Sequence, residues 1–126
     1  MRVRWAVTRH EFEEKIMEAY ILNSETMGSG DENLGKVLMG AFLKKLWAKV
    51  EKPDILILYN AGVKLLDKES GYMDVLVGLE EAGVEILACG TCLDHYDLRS
   101  TMVAGHVSNM EDIVATMSKA EKVVTI

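Results

Sequence analysis

The chain has 126 residues, 49% hydrophobic and 27% charged, with a formal net charge of −6 and two cysteines. That length suits one domain around one well-filled core. The acidic balance excludes general binding to nucleic acid or anionic lipid, which requires a surplus of Lys and Arg on one face.

No run of about 18 apolar residues is available to cross a bilayer, and the opening MRVRWAVTRHEFEEK lacks the apolar stretch of a secretory signal. A soluble, cytoplasmic protein is expected. Thiols are kept reduced in that compartment, so a cysteine pair there points to catalysis, a carrier role or metal binding rather than to a structural staple.

In chain order, residues 1–19 read as a separate arm. RVRWAV alternates charged and apolar positions, and Thr8-x-x-Glu11 before Phe12 and Ile16 predicts a capped amphipathic helix. It is expected to pack on a neighbouring subunit or to be the remnant of a longer chain. Residues 20–126 then alternate β-rich runs with helical periodicity. The predicted strands are Tyr20–Ser24, Ile55–Asn60, Val84–Cys89, Val103–Ser108 and Lys122–Ile126. ILILY and VEILA are nearly continuously apolar, as in central strands covered on both faces.

Ser29-x-x-Glu32, Ser70-x-x-Met73 and Ser108-x-x-Glu111 each place a capping hydroxyl before an apolar stripe. The stripes are Leu34, Leu38, Ala41 and Phe42; Tyr72, Val75, Leu76 and Leu79; and Ile113 with Met117. Gly83 is placed to end the second helix. A further short helix, Leu93–Leu98, is predicted after the turn Gly90-Thr91. Such alternation predicts an α/β three-layer sandwich of flavodoxin-like type, a parallel five-stranded sheet with helices on both faces.

Reactive groups in open parallel sheets gather beyond the carboxyl ends of the strands. Each predicted strand before the last ends there in polar or reactive residues: Asn23-Ser24, Asn60-Ala61-Gly62, Cys89-Gly90-Thr91-Cys92 and Ser108-Asn109. Cys89 and Cys92 are the candidate catalytic residues. Ser24, Asn60, Gly90, Thr91 and Asn109 are the candidate substrate-binding residues around them, with the N–H groups of Gly90 and Thr91 available to an anionic sulfur.

Several chemistries compete for this C-x-x-C. A thioredoxin-type site is disfavoured, because the chain's one proline, Pro53, precedes the second strand at the opposite edge of the sheet. A zinc set of Cys89, Cys92, His95 and His106 lacks the second knuckle of a structural site, so no metal is expected. Small apolar filling remains open for both thiols. The loop Met27-Gly-Ser-Gly resembles a phosphate cradle, but Asp31 and Glu32 already complement the helix dipole there and would repel a phosphate. No cofactor is expected.

The stretches MGSGDENLGKVLMGAFLKKL, NAGVKLL, GVEILACGTCLDHYDL, GHVSNMEDIV and KVVTI together resemble the DsrE-like domain of the YedF family over residues 20–126. Those proteins are described as sulfurtransferase-like and associated with selenium metabolism. The resemblance implies a DsrE-like fold and homo-oligomers. It also implies a persulfide-accepting cysteine at the end of the third strand, which Cys89 matches. YedF-type chains begin with a TusA-like domain carrying a Cys-Pro motif, which is not in this sequence, so a separate TusA-like or other persulfide-carrying protein is the expected partner.

The expectation is therefore a sulfur (or selenium) carrier working through a Cys89 persulfide. The alternatives are a non-catalytic binding or assembly module and a dithiol/disulfide redox protein.

Overall fold

The computed structural model describes residues 17–126. The helix predicted after Thr8, and with it most of the N-terminal arm, lies outside the described residues. The elements, in chain order, are β1 (Glu18–Leu22), α1 (Glu32–Ala48), β2 (Ile55–Leu58), a 3-10 helix (Asn60–Leu66), α2 (Met73–Glu81), β3 (Glu85–Cys89), α3 (Gly90–His95), β4 (His106–Ser108), α4 (Met110–Lys119) and β5 (Lys122–Thr125). The strands form one five-stranded sheet in the order β4-β3-β2-β1-β5, every pair parallel.

The expected α/β layering is present. Side chains alternate across the strands: Leu22, Leu56, Leu58, Ile86 and Ala88 face α1 and α2, in one core that also takes Met39, Leu43, Leu76 and Leu79. Ala19, Ile21, Ile55, Ile57 and Cys89 face the other way, against Ile113 of α4. All four residues of β2 are buried, as its unbroken apolar run requires in a strand covered on both sides. Each fully buried Leu or Ile contributes about 1.5–3 kcal/mol.

Right-handed crossovers explain this division. From β1 to β4 the chain steps one strand at a time in one direction, so the intervening helices lie on one face; the return from β4 to β5 crosses the whole sheet and puts α4 on the other. The point where successive connections leave to opposite faces is therefore between β3 and β4. In flavodoxin itself, with order 2-1-3-4-5, it lies between β1 and β3.

Several local expectations are corrected. β1 lies two residues nearer the N-terminus than predicted, held by Ala19↔Ile55 and Tyr20↔Val124 pairing, while Ser24 turns the chain by accepting the Thr26 N–H. β4 is only three residues long because Gly105, at φ +89°, breaks the extended run before it. The α1 cap is Asp31, which accepts from Leu34 N–H, and the α4 cap is Asn109, which accepts from Asp112 N–H. Ser29 and Ser108 do not cap. Ser70 forms a turn ahead of α2, accepting from Tyr72 N–H and donating to the Leu65 carbonyl. The third stripe also narrows, to Ile113 alone.

The inward face of α1 is rotated by one residue from the predicted stripe. Gly35, Met39, Leu43 and Leu46 are buried, whereas Leu34, Val37 and Leu38 are 56%, 67% and 42% exposed. Close approach of the preceding loop sets the rotation: a Cβ on Gly35 would stand 2.6 Å from the Thr26 Cβ. A backbone bond from Met27 N–H to the Gly35 carbonyl, 3.0 Å, closes the contact.

At Gly62 the same constraint is stricter, since a Cβ there would lie 1.9 Å from the Leu22 carbonyl oxygen. Backbone cannot move aside as a side-chain tip can. Gly62→Ala is expected to lower unfolding stability by about 3 kcal/mol or more, against about 1 kcal/mol for Asp31→Ala, which removes only a cap. Urea unfolding of the two variants checks this ordering.

Candidate functional site

The carboxyl end of β3 runs directly into α3. The helix begins at Gly90, three residues before the predicted start, so Cys89 is its N-cap residue and Cys92 falls in its first turn. Space at Gly90 is tight, because a Cβ there would lie 2.9 Å from Arg99 Nη2 and 3.1 Å from the Ser108 carbonyl oxygen. The turn is thus pressed against the end of β4.

Both cysteines are free thiols. Cys89 is only 4% exposed and points into the core on the α4 side. Cys92 is half-buried and packs against both cores, at the top of the sheet where they meet. Its Sγ accepts the backbone N–H of Asn60 at 3.0 Å. Asn60 holds φ at +50°, a left-handed conformation that Asn tolerates better than most residues. The Asn60 side chain accepts from the Tyr96 hydroxyl at 3.2 Å. Lys64 Nζ lies 4.5 Å from the centre of the Tyr96 ring and 3.6 Å from Glu25 Oε1. Asn60, Tyr96, Lys64 and Glu25 thereby tie the loops after β1 and β2 to the outer side of Cys92.

Burial pushes the Cys92 thiol above its ordinary value. The Asn60 N–H opposes that rise, and the hydrogen bond and charge of Cys89 add to it. Cys92 accordingly keeps its proton near neutral pH.

The structure brings together Cys89, Cys92, Asn60, Gly90 and Thr91. Asn60 acts on the pair through its main chain, not its amide. Two of the candidates are occupied locally. The Ser24 hydroxyl bonds to Thr26, and Asn109 is spent on capping α4. Tyr96, Lys64 and Glu25 were not anticipated. The signal for Tyr96 was its i,i+4 spacing from Cys92, which puts both on one helix face.

Among the described residues no group of three His, Cys, Asp or Glu side chains is placed to hold a metal ion. His95 instead packs edge-on to Tyr96, and His106 is exposed on β4. A groove of about 540 Å³ beside β4, lined by Glu80, Met102 and His106 among others, contains neither cysteine. No helix among the described residues is long and apolar enough to cross a membrane.

Residues 18–126 match the DsrE/DsrF-like family. The chain belongs to that family. Solved structures agree on the fold. The ychN protein from E. coli superimposes with a TM-score of 0.63 at 15% identity, over 89% of this chain and 100% of the other. The MTH1491 protein from Methanobacterium thermoautotrophicum gives 0.64 at 16% identity, with the same coverage. The BT1422 protein from Bacteroides thetaiotaomicron gives 0.62 at 17% identity, over 86% and 94%. Among curated proteins no relative is found.

In this DsrE/DsrF-like chain the proximity of Cys89 to Cys92 has a measurable consequence. Alkylation of Cys92 is expected to reach half its maximal rate at a pH above the ordinary thiol value of 9.0. Cys89→Ala removes two of the causes that raise it and moves that midpoint down. Rate-versus-pH curves with iodoacetamide and peptide-level mass spectrometry test both statements.

Proposed function

We propose that the chain is a sulfur carrier that holds a persulfide on Cys89, in a relay of the kind its resemblance to YedF-type DsrE-like domains implies. The observation that carries this reading is the adjacency of two reduced thiols at the carboxyl end of β3, one buried and one half-exposed, at the point where the chain diverges to opposite faces of the sheet.

The thiolate is the nucleophile in such chemistry. Cys89 attacks the outer sulfur of a donor persulfide; the donor's S–S bond breaks and its thiolate departs with the electron pair. Cys89–S–SH results. Cys92 serves as hydrogen-bond partner to the Cys89 sulfur and, once it loses its proton, as resolving thiol: it attacks the inner sulfur of Cys89–S–SH, the persulfide S–S bond breaks, hydrosulfide leaves with the electron pair, and a Cys89–Cys92 disulfide remains. The donor we infer is a TusA-like or other persulfide-carrying protein; a selenium counterpart would follow the same steps. Homo-oligomers and a cytoplasmic setting belong to the same reading.

A dithiol/disulfide redox role is the second reading, favoured by the contact between Cys89 and Cys92. Intact-mass measurement after incubation with glutathione persulfide separates the two. The carrier is expected to gain one sulfur atom, a gain abolished in Cys89→Ser and retained in Cys92→Ser. A reversible loss of two hydrogens with no sulfur adduct would establish the redox protein instead, and neither change would leave a non-catalytic binding module.

A further inference from the structure

Ser108 ends β4 beside the cysteines and has no evident structural task. It is 9% exposed, and its Oγ is a buried side-chain oxygen without a hydrogen-bond partner. Desolvating a hydroxyl without pairing it costs free energy, so native structures seldom leave one orphaned. The obvious use, capping α4, is taken by Asn109, whose Oδ1 accepts the Asp112 N–H at 2.8 Å.

Register fixes what the hydroxyl faces. Cys89 pairs with Ser108 across the β3–β4 ladder. Paired residues of neighbouring strands share a sheet face, about 4.8 Å apart. Cys89 points to the α4 side, so Ser108 does too. A Cβ at Gly90 would stand only 3.1 Å from the Ser108 carbonyl oxygen, so the two strand ends lie close together. The hydroxyl thus stands next to a thiol to which it is not bonded. A second sulfur on Cys89 would extend that side chain by about 2 Å, the scale of displacement that turns a near neighbour into a hydrogen-bonding one.

We propose that the Ser108 hydroxyl is the hydrogen-bond donor to the outer sulfur of a persulfide on Cys89, an assignment that rests on the sulfur-carrier reading. Loading is Cys89–S⁻ + R–S–SH → Cys89–S–SH + R–S⁻, where R–S–SH is a persulfide donor. The outer sulfur keeps its proton in that step and then ionises by releasing it to solvent. Ser108 Oγ–H donates to the resulting anion, which gives the otherwise unpaired hydroxyl its partner. The ligand class is sulfane sulfur: one atom, anionic once loaded, presented by Cys89.

The test uses the full chain, glutathione persulfide as probe, and the equilibrium constant for sulfur exchange between glutathione and Cys89, read by intact mass. Charge-assisted hydrogen bonds to a single anion shift such equilibria by about tenfold or more. Ser108→Ala is expected to lower the constant about tenfold, and Ser108→Thr, which keeps the hydroxyl, to restore it. The thermal midpoint of Ser108→Ala should be no lower than that of the unaltered protein, since only an unpaired group is removed. An unchanged constant in Ser108→Ala with normal loading of the unaltered protein overturns the Ser108 role and leaves the carrier reading intact. A depressed thermal midpoint, or a deficit that Ser108→Thr does not repair, overturns it as well by making the hydroxyl structural. Absence of loading in the unaltered protein overturns the carrier reading, and this inference with it.

Discussion

The handedness of parallel crossovers is the constraint on which this structure rests. Each link between parallel strands must turn right-handed, so the direction in which the chain steps across the sheet dictates the face each helix covers. Steps from β1 through β4 share a direction, and the long return to β5 reverses it. After β3 the backbone leaves toward one face, and after β4 toward the other. The two strand ends at that divergence are Cys89 and Ser108, which are register partners. The winding alone brings these two residues to neighbouring strand ends, and the side chains there follow from the local sequence.

Cys92 is wedged where the two cores meet and is held by the Asn60 N–H, which favours a sulfur anion, while burial and its neighbour favour the thiol. Burial is the larger influence, so the outer sulfur stays protonated near neutral pH.

The sheet and its order of elements were legible because ILILY and VEILA carry the unmistakable composition of doubly covered strands, and Gly83, at φ +101°, marks a helix end that tolerates little else. The face of α1 was misread because its Leu and Val residues outnumber the positions that the sheet can bury. The informative residue was Gly35, whose missing side chain admits the Thr26 loop. Capping was misread by one or two residues wherever a second oxygen-bearing side chain, Asp31 or Asn109, followed the serine. At the site, the residue types at the strand ends were visible, but not the part of each that acts. Asn60 contributes its main chain, and Ser108 does not cap because the Asn109 side chain takes the Asp112 N–H. Those are properties of register and backbone angle, which a linear pattern does not encode.

The brevity of β4 has a kinetic side. An outermost strand of three residues, preceded by a glycine at φ +89° and succeeded by a helix cap, is fastened by few ladder bonds. Segments so lightly held detach from their sheets far more often than the whole molecule unfolds. Its amides therefore exchange with deuterium ahead of those in β2, and each excursion lifts one wall from beside Cys89, giving an otherwise enclosed thiol intermittent contact with the outside while the rest of the sheet remains intact.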